Sequence, residues 1–166
     1  MQIFSEAKKV FPDNARVWVY QADRKLNEYE KISISGKLNR FLNDWAAHGK
    51  KLDCSGEILH DLFIVLIVDE SFEAASGCSI DSSVNFIRSI GEELNINFFD
   101  RFAIAYEDNN EIKVCSKNEF EALAAENKVN KNTIVFNNLV LDYANLKNNW
   151  KVPAHQSWQS KFFNLN

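Results

Sequence analysis

Glycine and proline are scarce in this chain, with five and two among 166 residues. That scarcity leaves no stretch resembling a flexible linker, and one domain over residues 1–166 is expected. Cysteine is also sparse. Cys54, Cys78 and Cys115 are odd in number and lack metal-ligand spacing. Neither a disulfide framework nor a zinc site follows, and reduced thiols in a cytoplasm are the expectation. The longest apolar run covers residues 62–68, which suits a strand and falls far short of the ~20 residues that span a bilayer. The start, Met1-Gln2-Ile3-Phe4-Ser5-Glu6, has no basic, then apolar, secretory pattern. Positive charge is not in surplus either. Nineteen Lys and Arg face 23 Asp and Glu, a net charge of -4, so no nucleic-acid partner is expected.

What the chain does have is apolar bulk. Hydrophobic residues make up 46%, and thirteen Phe and four Trp supply large core side chains. The pattern places a strand at residues 16–21 (Arg-Val-Trp-Val-Tyr-Gln), apolar on both faces and therefore central. Asn27 and Glu30 form a capping pair for a helix carrying Ile34, Leu38, Phe41, Leu42 and Trp45, with Gly49 as its C-cap. A weak strand at 52–60 and the strongest strand at 62–68 follow. A helix from about 80 to 94 carries Ile80, Val84, Ile87, Ile90 and Leu94 on one side. Residues 101–106 and 111–115 make a hairpin across Asp108-Asn109-Asn110. Ser116 and Glu119 cap a short helix, and residues 133–136 form a further strand. The order is β-α-β-β-α-β, then β-α-β. It predicts an α+β fold: a ferredoxin-like (split β-α-β) sheet of about five to six strands with helices on one face, plus a C-terminal β-α-β extension.

Several segments carry a family likeness. They are Trp18-Val19-Tyr20-Gln21-Ala22, Trp45-Ala46-Ala47-His48-Gly49, residues 76–84 (Ser-Gly-Cys-Ser-Ile-Asp-Ser-Ser-Val), and residues 132–139 (Asn-Thr-Ile-Val-Phe-Asn-Asn-Leu). Together they resemble a small family of bacterial proteins often labelled "ABC transporter ATPase". In line with that label, residues 63–70 resemble a Walker B strand, in which Asp69 would assist Mg²⁺ and Glu70 polarise water. Ser76-Gly77-Cys78-Ser79 echoes an ABC signature loop. The phosphate cradle Gly-x-x-x-x-Gly-Lys-Ser/Thr is absent, however. Gly36-Lys37 and Gly49-Lys50 lack both the earlier glycine and the following hydroxyl residue. An ABC-type ATPase is therefore not expected.

The junction over residues 69–84 concentrates the candidate chemistry. Asp69 and Glu70 close the strongest strand, where carboxylates act as metal ligands, acids or bases or cap a turn. Cys78 sits near a helix start, whose dipole favours thiolate; as a nucleophile it would need His48 or His60 as base. Ser76, Ser79 and Ser82 add hydroxyls able to hold an anion or simply to cap the helix. Asp81 either joins the carboxylates or sits favourably in the first helical turn. Arg101 pairs with Asp81 or Asp69 in this reading, and Trp45 and His48 share one helical face. Trp150 and Trp158 anchor the tail. No His-x-x-His or Asp-x-Asp pattern builds a metal centre, and the residues name no cofactor. The leading expectation is a noncatalytic cytoplasmic module with a pocket at this junction for a small ligand or protein partner, with homodimerisation as another role. The alternative is a small enzyme using Cys78 as nucleophile, or Asp69, Glu70 and Asp81 as metal ligands.

Overall fold

The computed structural model describes residues 9–163; part of the expected irregular lead-in lies outside them. The fold is mixed α+β, built around a strand with no polar face. Phe63–Asp69 (β5) is buried at all seven positions. An all-apolar strand needs partners on both edges and cover on both faces. Arg16–Gln21 (β1) pairs with it antiparallel on one edge, and Asp53–Leu59 (β4) on the other. The helix Glu28–Asp44 (α1) connects β1 to β4, so β5 is inserted between two parallel strands. That is a split β-α-β unit.

Alternation assigns the two faces. Trp18, Leu66 and Gly56 lie across the sheet from one another and face the helices. Gly56 brings α1 close to the sheet: a Cβ there would sit 3.1 Å from Leu42 Cδ1 and 3.3 Å from Leu38 Cδ1, both on α1, closer than ordinary van der Waals contact. The second helix, Gly77–Leu94 (α2), lies beside α1, with Phe86 stacked on Phe41 at 4.4 Å. Trp45 packs edge-on to Trp18 at 5.8 Å and donates its Nε1–H to the Ser79 carbonyl at 2.8 Å. The buried stripe of α2 is Ser79, Ser83, Ile87, Ile90 and Gly91 rather than the all-apolar set that periodicity suggested. Two serines replace larger side chains there, and Trp45 and Tyr20 approach α2 at these positions.

The opposite face of β5 is covered by a second sheet, in the order β7-β6-β8-β9. Its strands are Ile104–Asp108 (β6), Glu111–Cys115 (β7), Ile134–Phe136 (β8) and Lys151–Pro153 (β9). Phe63, Phe136 and Trp150 meet with ring centroids 4.8–5.0 Å apart and join the two sheets. Ile104, Tyr106 and Val135 point the other way, into a smaller core with Phe120 of the helix Lys117–Ala125 (α3). This half is also a split unit: α3 connects β7 to β8, and β6 lies between them.

The expected single sheet of five to six strands is therefore two sheets, and the ferredoxin-like order is not completed. After α2 the chain does not return to the free edge of β1. That edge is engaged by the segment before the helix Tyr143–Asn149 (α4): Val17 N–H donates to the Leu141 carbonyl at 3.0 Å, and Tyr143 N–H to Ala15 at 2.9 Å. The C-terminal β-α-β extension is present but belongs to the second sheet. Gly49 is not a helix C-cap. Helix α1 ends at Asp44, and His48-Gly49, both at positive φ, turn a small hairpin between Ala46–Ala47 (β2) and Lys50–Lys51 (β3). Residues 143–153, expected only as a packed tail, contribute α4 and β9.

Two expected outcomes follow. Gly91 accepts hydrogen bonds from Asn95 and Ile96 N–H, and a Cβ on it would overlap the Ile96 carbonyl oxygen. Gly91→Ala should cost about 2 kcal/mol or more in urea unfolding; a neutral result would contradict the close approach. His60, half-buried against Phe63, Phe136 and Trp150, has its pKa lowered by burial and by Lys151, against the opposing pull of Glu107 and Asp61. The unfolded chain then binds the proton more readily. Stability is full above the unfolded value of about 6.5 and falls as pH drops from there through the lower folded value. His60→Asn, which tolerates the positive φ at this position, should flatten that decline; an unchanged pH slope would refute the assignment.

Candidate functional site

At the 69–84 junction, Asp69, Glu70, Ser76, Ser79 and Ser82 make local hydrogen bonds. Asp69 is buried and accepts from the Ser71 hydroxyl at 2.6 Å and the Ser71 N–H at 2.9 Å. These two bonds, the hydroxyl first, hold its carboxyl below the ordinary range. Glu70 accepts the Ala75 N–H at 2.8 Å. Ser76, not Ser79, is the N-cap of α2. Its hydroxyl takes the Ser79 N–H at 3.1 Å, and Ser79 Oγ takes the Ser76 N–H at 2.7 Å. Ser82 donates to the Cys78 carbonyl at 3.0 Å. Such a network satisfies a strand end and a helix start.

Cys78 is exposed in the first turn of α2, and its thiol has no hydrogen-bonded base among the described residues. Asp81 is exposed. His48 is exposed at the β2–β3 turn rather than at a helix end, because α1 stops at Asp44. Among the described residues, no group of three or more His, Cys, Asp or Glu side chains is placed to hold a metal ion. Ser82 lines a cleft of 550 Å³ beside Lys37, Arg40 and Phe41.

Arg101 is at the other end of the sheet. The β1–β5 register puts Arg16 beside Val68 and Gln21 beside Phe63, so the two ends of β1 are about 17 Å apart. Arg101 lines a cavity of 420 Å³ together with Gln21. It has no hydrogen bond or ion pair among the described residues, so the expected pairing with Asp69 or Asp81 does not form.

This cavity opens at the end of β1. Val19 and Gln21 come from β1, and Phe136 and Asn138 from β8 and the turn after it. The α2–β6 connection brings Phe98, Phe99 and Arg101. Trp158 and Gln159 come from the last 3₁₀ turn, Trp158–Phe162. Tyr20 stands on the wall, edge-on to Phe99 at 5.9 Å. Burial raises the pKa of its phenol, partly offset by a hydrogen bond with Ser83.

A chain of amides fixes the polar part of the cavity. Trp150 Nε1–H can only donate, and it donates to Asn138 Oδ1 at 2.9 Å. That sets the Asn138 amide, whose Nδ2–H donates to Gln21 Oε1 at 2.7 Å. The far end of Gln21 is then its NH₂ group. Gln21 is only 7% exposed, and its Nε2 has no acceptor. A buried donor left unpaired costs about 1–3 kcal/mol.

Sequence reasoning missed Gln21 because a glutamine closing an apolar strand looks like a strand end. Asn138 and Trp158 read as turn and tail, and only Arg101 was singled out. No pattern within one segment could reveal the site, since four separated segments build it. Comparison with protein-family models, with curated proteins and with solved structures finds no match for this chain.

The thiols give a direct check. Burial raises the pKa of Cys54 and pushes that of Cys115 up to about 11, whereas Cys78 is exposed. A brief pulse of disulfide reagent on the folded protein should therefore label Cys78 first, as read by peptide mass spectrometry. Preferential labelling of Cys54 or Cys115 would contradict this placement.

Proposed function

We propose that this protein is a noncatalytic binding module that holds a small organic molecule between its two sheets, at the end of β1. One observation carries the reading: the buried, acceptor-free Nε2 of Gln21, a residue on the wall of a cavity that mixes aromatic rings with polar side chains. A cavity of 420 Å³ lies within the range of about 300–1,000 Å³ typical of ligand sites. Apolar walls with a few fixed polar groups are also usual for such sites. This reading places the ligand away from the 69–84 junction, where Asp69, Glu70, Ser76 and Ser79 already hold local partners. Three unpaired cysteines, two of them half-buried, support a reducing compartment such as the cytoplasm. The split β-α-β order of the first sheet supports a relation to ferredoxin-like folds, in which the returning strand has moved to a second sheet.

The test is titration with benzamide, a ring with one carbonyl, followed by amide NMR correlation spectra. The Gln21 and Asn138 side-chain NH₂ signals and the Trp158 indole signal should shift together. Gln21→Met keeps the size and removes the donor, and should weaken binding about tenfold, the equivalent of one hydrogen bond to a buried group. Shifts confined to other surfaces, or unchanged affinity in Gln21→Met, would overturn the reading.

A further inference from the structure

We infer that the ligand of this cavity is a flat aromatic anion that also carries a carbonyl, with the carbonyl inside against Gln21 and the acidic group at the mouth against Arg101. The inference rests on the binding reading above and names the ligand's class.

Three observations carry it. The donor inside is neutral. Only two charged side chains line the cavity, Asp100 and Arg101, and both are exposed at its rim. An anionic group pressed onto Gln21 would be desolvated with no counter-charge beside it, so the inner acceptor is an uncharged carbonyl. The rim charges differ in availability. Asp100 Oδ1 is taken up by the Phe102 N–H at 2.9 Å, and the Asp100 carbonyl accepts the Ala103 N–H. Arg101 has neither a hydrogen bond nor an ion pair among the described residues, so its donors stand free at the mouth, next to the Asp100 carboxylate. The guanidinium presents a fork of donors that matches a carboxylate. Between these two points the walls are rings: Tyr20, Phe98, Phe99, Phe136 and Trp158. Aromatic rings favour a planar partner that stacks or meets them edge-on.

The geometry also fixes the size of the effect. Arg101 is solvent-exposed, so its pairing with an anion is screened and contributes a few-fold in affinity.

Three probes test this on the full chain: 3-carbamoylbenzoate, benzamide and benzoate, each titrated by amide NMR. 3-Carbamoylbenzoate should bind about three- to fivefold more tightly than benzamide at low salt, and Arg101→Gln should erase that margin by weakening 3-carbamoylbenzoate more than benzamide. Arg101→Lys should retain part of it. Raising the salt should narrow the margin in the unaltered protein and in Arg101→Lys, but not in Arg101→Gln. Benzoate has no separate carbonyl, and Gln21→Met should weaken it less than the other two. Equal binding of 3-carbamoylbenzoate and benzamide, or a margin that survives Arg101→Gln, would overturn the ligand class while leaving cavity binding intact. Failure of all three probes to move the Gln21 amide signals would overturn both.

Discussion

A strand with no polar face cannot sit at a surface. Phe63–Asp69 is such a strand, and its seven buried positions impose the layers around it. One face takes two helices. The other takes a second sheet, joined through Phe63, Phe136 and Trp150. Each fully buried Phe, Ile, Leu or Val contributes about 1.5–3 kcal/mol, so leaving either face uncovered would forfeit several such contributions. The cavity is a by-product of this layering. Two sheets, each with its own twist, do not meet along their whole length. At the end of β1, beside the Phe63 junction, the residue is Gln21 rather than an apolar one.

The two polar regions of the molecule differ in how their groups are satisfied. At the 69–84 junction, donors and acceptors are matched among neighbours in sequence. Ser71 serves Asp69, Ala75 serves Glu70, and Ser76 and Ser79 serve each other. In the cavity the matching runs through three residues far apart in the chain and stops one group short, at the Gln21 NH₂. A dense cluster of polar residues in a sequence therefore marks a turn as readily as a site. A single polar residue among apolar ones can mark the site instead.

Local physics was legible in the residues, and long-range pairing was not. The boundaries of β1 could be read from residues 16–21 because β-branched and aromatic residues fill both faces. The Asn27–Glu30 and Ser116–Glu119 capping boxes were read correctly because each needs only four residues. The hairpin at Asn109-Asn110 was visible because asparagine tolerates the positive φ that such turns require. Misreadings arose where a glycine has two uses: Gly49 fits a helix C-cap and a tight hairpin equally well, and tertiary packing of Trp45 chose the hairpin. The division into two sheets was hidden for a different reason. Strand order depends on which edge is free when the chain returns, and the 141–144 segment that engages the β1 edge carries no strand pattern of its own. The cavity was illegible for the same reason, apart from Arg101.

The register of the first sheet has a further consequence, for biosynthesis. β1 is made before its hydrogen-bonding partner, residues 63–68. Until that segment has left the ribosome, a strand carrying Val17, Trp18, Val19 and Tyr20 has no edge to join. The cover for its other face comes later still, since Leu146 and Trp150 belong to the same core. The chain thus exposes an adhesive segment until those residues emerge, and unpaired strand edges are prone to misassociation. The helix between β1 and β4 can form locally and early, and Leu38 and Leu42 on it are the first apolar surface available for nascent strands to collapse upon.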